Sequence, residues 1–504
     1  MLFRSLVIVD DAGQVRPLTA PGPGYHDRAP SWSPDGRRIA FISDRPAAPE
    51  GGATRLWVVA ADGSTPAITL TAPAQVGAVA WAPDGGSVAW LGLPAGTPPG
   101  TAACLWVTTA DGTQTRWIPL PGVPAPGAAV RSDDPRGMGD ATLRWTPDGR
   151  IWLRWADGGT SRIGWVHADG GPVTTVVGGE RAALAFDLSA DGRLLAHVTA
   201  TDDDPGPLAV CAADGTGERT IADRNGWLAE VRLGVTRRIT TAGPDGLPLE
   251  GWVVYPPDGA LAPGGDAAGV PAVLSVHGGP HYPIGRRFSF ETQRLAARGY
   301  AVVNGNARGS TGYGDRHATL IHRDWGGRDL GDTLTILDAA LTPVPGARTV
   351  DPERVAITGV SYGGYLSMWA IASTDRFAAT ITENGIADLA SAFGSGEDDG
   401  GFWVAELGAT PWSDPAAYVG RSPLFAADRI RTPLLLIHAE EDHNCPIAQS
   451  EELFSALTRL GRPVRFLRAR GLGHLMNFTG PGAFRRARGE AIDAWLDAWL
   501  APGG

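Results

Sequence analysis

The chain has 504 residues, 43% of them apolar and 19% charged, which is enough for more than one large core. A net charge of −11 with no basic stripe argues against nucleic acid as a partner. All 43 basic residues are arginine, so a P-loop lysine, a Schiff-base lysine and a Ser–Lys dyad are excluded outright.

The N-terminus, Met1 to Ser5, soon reaches acidic Asp10 and Asp11 without an apolar signal core. No stretch is long enough for a membrane span, so the expectation is a cytoplasmic protein with no membrane partner. The chain opens on a short apolar phrase, Leu6 to Val9, and then repeats itself. Trp32-Ser33-Pro34-Asp35-Gly36 returns as Trp81-Ala82-Pro83-Asp84-Gly85 and as Trp145-Thr146-Pro147-Asp148-Gly149, and more weakly as Leu188-Ser189-Ala190-Asp191-Gly192. Each copy is followed by a second apolar phrase and a second Asp-Gly pair, at Asp62-Gly63, Asp111-Gly112, Asp169-Gly170 and Asp214-Gly215. Asp-Gly suits the positive φ angles of hairpin turns, and the β-branched and aromatic residues between the turns suit half-buried strands. A repeat of several short strands on this scale predicts propeller blades: four repeats plus a leading half-repeat over residues 1–234, about five blades. The three cysteines, Cys104, Cys211 and Cys445, are scattered, which predicts neither a disulfide framework nor a cysteine metal site.

The pattern changes near residue 235. A hairpin turning at Pro244-Asp245-Gly246 leads into short apolar runs alternating with amphipathic helical stretches. The runs are 271–276, 300–304, 354–358, 379–382, 433–438 and 464–467. Helices are expected near 334–341, 448–460 and 485–500. Continuous apolar runs mark strands buried on both faces, so residues 235–504 are predicted to form an α/β domain with a mostly parallel sheet.

Gly359-Val360-Ser361-Tyr362-Gly363 is a G-x-S-x-G motif placed between a strand and a helix. That corner holds a serine in a strained turn with its hydroxyl exposed, as α/β-hydrolases require. Serine is a weak nucleophile and needs a base. In this fold the order along the chain is Ser, acid, His. Only His438, His443 and His474 follow Ser361. His438 precedes the acid candidates and His443 directly follows the best of them, which leaves His474 in its glycine-rich loop. Glu440, Glu441 and Asp442 compete as the acid; Asp442 is preferred because it lies nearest the turn. The backbone N–H of Tyr362 is one oxyanion donor, and a second is expected from His277-Gly278-Gly279-Pro280, with Gly279 favoured over Gly278. Each donor contributes about 2.7–4 kcal/mol of transition-state stabilisation. Arg308 reads as a structural ion-pair residue, with direct contact to substrate as the alternative. Phe393, Phe402 and Trp403 either line a substrate pocket or pack in the core.

These residues resemble the prolyl oligopeptidase family of serine peptidases, and most nearly its acylaminoacyl-peptidase and dipeptidyl-peptidase-like branch. The matching segments are His277-Gly278-Gly279-Pro280-His281, Arg308-Gly309-Ser310-Thr311-Gly312-Tyr313-Gly314, Asp324-Trp325-Gly326-Gly327, Gly359 to Tyr365, Ser422-Pro423-Leu424, Cys445-Pro446-Ile447 and Gly473-His474. They span about 240 to 500. The resemblance implies Ser361, Asp442 and His474 as the catalytic residues, and a propeller in front of the hydrolase domain that restricts entry to short peptides. Family propellers usually have seven blades. The shorter repeat here therefore means either a smaller propeller or blades missing through a different start.

The expected activity is that of an acylaminoacyl-peptidase-like serine peptidase needing no metal or organic cofactor. The alternatives are a carboxylesterase with the same triad, a dipeptidyl aminopeptidase, and a non-catalytic propeller scaffold. The oligomeric state stays open, a homo-oligomer included.

Overall fold

The computed structural model describes residues 5–19, 26–45, 53–72, 74–135, 142–260, 262, 269–397 and 400–501; Met1 to Arg4, part of the N-terminal reading above, lie outside the described residues. The first half is built from antiparallel units. A two-stranded ribbon, Val7–Val9 with Val15–Pro17, leads. The first four-stranded unit runs through Asp27–Trp32, Arg38–Ser43, Arg55–Ala60 and Ile68–Thr69, and the second through Ala74–Trp81, Ser87–Pro94, Cys104–Thr109 and Thr115–Ile118. The third comprises Leu143–Trp145, Arg150–Asp157, Thr160–His167 and Thr174–Val177; the fourth, Ala182–Leu188, Leu194–Ala200, Leu208–Ala212 and Arg219–Ala222. A single parallel pairing, Ser161 with Ala182, joins the last two.

The repeated turn explains the repeated unit. Its glycine takes a positive φ at Gly36, Gly85, Gly149 and Gly192. In three copies a hydroxyl two residues before the aspartate donates to it at 2.6 Å: Ser33 to Asp35, Thr146 to Asp148, Ser189 to Asp191. This Asx-type closure fixes the register of the following strands. Apolar side chains then fill the space between neighbouring units, Ala40, Leu56, Val76 and Trp90 between the first two, and Trp152, Ile163, Leu195 and Cys211 between the last two.

The second half is one eight-stranded sheet. Its strands are β1 (Val235–Ala242), β2 (Pro248–Tyr255), β3 (Val270–Val276), β4 (Ala301–Asn306), β5 (Val350–Val360), β6 (Ala379–Glu383), β7 (Leu434–Ala439) and β8 (Val464–Ala469), in the spatial order 1-2-4-3-5-6-7-8. β1 and β2 are antiparallel; from β4 through β8 every pairing is parallel. Alternate residues of one strand serve opposite cores. Leu274, Ile357 and Leu436 pack with one set of helices, and Val273, Ala356 and Leu435 with the other. That two-sided burial is why these runs read as continuously apolar.

The two halves meet along the loop after β3. Arg287 is buried and donates to the carbonyls of Val130 and Asp134, while Asp133 accepts the Phe290 amide at the start of helix α1 (Phe290–Ala297). Arg131 N–H donates to Pro283 O at 2.8 Å. Among the described residues no helix is long and apolar enough to cross a membrane.

Candidate active site

β5 ends in a turn that cannot be made with ordinary residues. Ser361 sits at φ 61°, ψ −122°, directly before helix α2 (Tyr362–Ser373). A Cβ on Gly359 would stand 2.2 Å from the Gly363 carbonyl oxygen, and one on Gly363 would stand 2.1 Å from that of Val276. The motif's glycines are therefore set by backbone approaching backbone. Replacing Gly363 with Ala should cost about 1–3 kcal/mol by overpacking, and should shift the β3–loop junction that carries Gly278 and Gly279. Thermal unfolding together with turnover on a chromogenic ester measures both effects.

Turnover of this kind needs a base, an acid and amides around the serine. Ser361 Oγ lies 3.1 Å from His474 Nε2, and His474 Nδ1 lies 2.7 Å from Asp442 Oδ2. Asp442 is 3% exposed, whereas its neighbours Glu441 and His443 face solvent, and Glu440 pairs with Arg468 at the surface. The other carboxylate oxygen of Asp442 accepts the amides of Asn444 and Cys445 at 2.9 and 2.8 Å. All three groups lie at or beyond the carboxyl ends of parallel strands, where the spatial order of the sheet also reverses between β3 and β5. This is the place where open α/β sheets bind ligands.

The Tyr362 N–H is the first of α2 and has no acceptor within its own helix. Gly278 and Gly279 lie across the same cavity, Gly279 at φ 121°. Tyr362 itself is clamped, its hydroxyl donating at 2.6 Å to buried Asp329, whose carboxyl burial raises to about 6. The ring of His277 bridges the Gly278 carbonyl (2.7 Å) and Ser310 Oγ (2.9 Å). Burial pushes the pKa of His277 down from 6.5 to about 4. The unfolded chain therefore binds this proton first, so the stability His277 contributes is complete above pH 6.5 and is lost as pH falls toward 4. Urea unfolding at pH 5 and pH 8 should show that loss, and His277→Gln should shrink it.

Asn384, which the sequence did not single out, completes the surroundings together with His438 and Cys445. Asn384, at the end of β6, donates to the His474 carbonyl at 2.8 Å and accepts the Ala439 amide at 2.9 Å, tying the base loop to β7. His438 is fully buried, with Nδ1 2.7 Å from Ser450 Oγ and Nε2 2.7 Å from the Cys445 carbonyl. Cys445 Sγ lies 4.0 Å from Ser361 Oγ, and burial raises its pKa far enough to keep it a thiol rather than a second nucleophile.

The serine and histidine open into a cavity of about 870 Å³ between the two halves, lined also by Gly279, Tyr282, Arg131 and Asp133. Phe393, Phe402, Trp403 and Arg308 do not line it. Phe402 and Trp403 pack around Trp325 at ring separations of 6.1 and 5.6 Å, and Phe393 packs on Trp412 and Tyr418. Arg308 is buried, and its guanidinium is held by both oxygens of Asp332 (2.7 and 2.9 Å) and both of Asp245 (2.9 and 2.7 Å), which leaves it nothing to offer a substrate. Of the two readings open for each, Phe393, Phe402 and Trp403 take core packing and Arg308 takes the structural ion pair, so the pocket alternative is corrected for all four.

Residues 286–503, which carry Ser361, Asp442 and His474, match the model of the prolyl oligopeptidase family. This region of the chain belongs to the prolyl oligopeptidase family. An uncharacterized peptidase, YuxL, of Bacillus subtilis (strain 168) is 31% identical over 358 residues, covering 71% of this chain and 53% of that protein. The acylamino-acid-releasing enzyme of Sus scrofa is 32% identical over 206 residues, 39% of this chain and 28% of that enzyme. The chain thus matches about half the length of the first of these family relatives and less of the second. The acylaminoacyl peptidase of Pyrococcus horikoshii superposes with a TM-score of 0.76 at 23% identity, over 97% of this chain and 84% of that one. That likeness establishes the fold, blades in front of an α/β-hydrolase sheet.

Proposed function

We propose that the protein is a serine peptidase of short peptides that releases N-acylated residues. In this reading residues 1–234 are a short propeller of about five blades, the leading ribbon counted as one, and residues 235–504 the catalytic domain of a cytoplasmic enzyme. The observation that carries it is the alignment of Ser361 Oγ, the His474 ring and Asp442 within hydrogen-bonding reach of one another, inside a cavity enclosed by both halves.

Ser361 attacks the scissile carbonyl while His474 Nε2 takes its proton, and Asp442 holds the imidazole with its proton on Nδ1. The N–H groups of Tyr362 and Gly279 receive the oxyanion. His474 then protonates the leaving amine, and water repeats the sequence on the acyl-enzyme. No metal or organic cofactor enters these steps.

Most carboxylates lining the cavity are already engaged, exposed Glu490 excepted, which favours an acyl group over a free amine. Glu383 is held by Arg488 at 2.6 Å, Glu291 pairs with Arg294 at 2.9 Å, and Asp133 caps α1. None of these is free to bind an ammonium. Arg131 stacks on Tyr282 at 4.8 Å and has no carboxylate partner among the described residues, so it suits a carbonyl or carboxylate oxygen.

Hydrolysis of N-acetyl-aminoacyl p-nitroanilides, their free-amine counterparts and p-nitrophenyl esters tests the reading. Preference for the acylated amides supports it, and Arg131→Gln should narrow that preference. Cleavage of esters alone would make the protein a carboxylesterase, preference for free amines a dipeptidyl aminopeptidase, and no turnover with no fluorophosphonate labelling of Ser361 a non-catalytic scaffold.

A further inference from the structure

Three side chains from separate segments converge where the two halves meet: His281 in the loop after β3, His322 after the short helix Asp315–Thr319, and Glu406 in the helix Gly401–Leu407. One donor atom from each lies within 4.8 Å of the others. Glu406 is fully buried and both histidines are partly so.

Their neighbours fix what each can offer. Trp325 Nε1–H donates to Glu406 Oε2 at 2.8 Å, leaving Oε1 for the histidines. His281 Nδ1 lies 2.9 Å from the Gly309 carbonyl, which can only accept, so the ring carries a proton there. The Nε2 lone pair of the neutral ring then points at Glu406 Oε1, 2.7 Å away. Two acceptors at that distance repel unless a cation stands between them. His322 Nε2 lies 3.7 Å from the same oxygen and donates to the Pro99 carbonyl at 3.0 Å, so it takes up an ion only by moving its proton to Nδ1, the ion then standing between the ring and Pro99.

We propose that His281, His322 and Glu406 bind a divalent transition-metal ion, with zinc the best fit, which braces the blades against the loop carrying Gly279. Two imidazoles and one carboxylate form a common zinc donor set, and hydrogen bonds from Trp325 and to Gly309 orient their ligands as outer partners of metal sites do. With bonds of about 2.0–2.1 Å, tetrahedral donors stand roughly 3.3 Å apart. The His322–Glu406 spacing is close to this already, and His281 has to draw back by about half an ångström. The Pro99 carbonyl or a water completes the shell. Pro99 and Gly100 come from the loop between the second and third strands of the second blade. Gly100 packs on the His281 ring so closely that a Cβ there would stand 2.4 Å from Nδ1. An ion at this point therefore links both halves of the chain. The competing occupant is a second proton on His281.

The full chain, stripped with a chelator and dialysed, is titrated with Zn²⁺ and with Co²⁺, and metal content, the visible spectrum and thermal unfolding are read. The expected result is one zinc retained per chain, a tetrahedral cobalt spectrum and a higher unfolding midpoint with zinc. Glu406→Gln can still accept from Trp325 while turning an amide N–H toward His281, and His322→Gln keeps a donor for Pro99, so both should fold. Both should lose the retained zinc and the zinc-dependent rise, and unfold near the midpoint of the stripped parent. Absence of retained zinc in the parent, an octahedral cobalt spectrum, or equal retention in both variants overturns the site and leaves His281 as an imidazolium paired with Glu406. These readouts do not depend on the peptidase reading.

Discussion

Ser361→Ala should abolish turnover while leaving the fold intact. In triad hydrolases, loss of the nucleophile lowers kcat by about 10⁶-fold, and the remainder comes from the oxyanion site and substrate binding. Here the hydroxyl touches only His474 at 3.1 Å and Cys445 at 4.0 Å, so removing it breaks no structural bond. Ser361→Gly should go further. A non-glycine residue at φ 61°, ψ −122° is strained by about 1–3 kcal/mol, and glycine relieves that strain. Its extra unfolded-state entropy takes back about 0.5–1 kcal/mol. The glycine variant should therefore be as dead as the alanine variant yet more stable than it, by about 1 kcal/mol. Equal midpoints in a denaturant titration would mean that the strained turn stores nothing. Residual turnover near the parent rate in either variant would remove Ser361 from the chemistry.

How much of this could be read from the chain depends on whether backbone or side-chain packing sets the feature. The Asp-Gly turns announce the blades because only a few residues tolerate positive φ, so the geometry leaves its mark at every repeat. Gly359 and Gly363 are legible for the same reason: backbone meets backbone there and no side chain fits, and Ser361 is legible by its place between them. Asp442 was separable from Glu440 and Glu441 only by its place at the turn, and it is the one of the three that points inward. The pocket was not legible. Phe402 and Trp403 carry the right chemistry for a substrate wall, but they are drawn onto Trp325, and the periodicity of a seven-residue helix does not say which neighbour its face will meet. Arg131 left no mark in the sequence because its position depends on the docking of two halves, with the strand-like pairing to Ile284 setting it against Tyr282. Asn384 and the cluster of His281, His322 and Glu406 were hidden likewise, since their members come together only through the tertiary fold.

Asp442→Asn should lower kcat by about 10⁴-fold with little change in KM, by reversing the tautomer of the base. The surroundings of Asp442 make this outcome hard to escape. An asparagine could in principle turn its carbonyl toward His474 Nδ1 and preserve the productive tautomer. Here the other oxygen of Asp442 accepts two amides, from Asn444 and Cys445. Only the amide oxygen of asparagine can satisfy those donors; its NH₂ group placed there would bury a donor against two donors, a cost of about 1–3 kcal/mol. The oxygen therefore stays with the backbone, and the NH₂ group faces Nδ1. The imidazole then carries its proton on Nε2, pointing at Ser361 Oγ, and cannot accept from it. Raising the pH does not restore the lost acceptor, so the defect should persist into alkaline buffer until hydroxide competes as the base. Glu441→Gln, on an exposed side chain next door, should leave kcat unchanged. If the two substitutions slowed turnover equally, the loss would reflect general electrostatics of the loop, and the directed hydrogen bond from His474 to Asp442 would not be what holds the base.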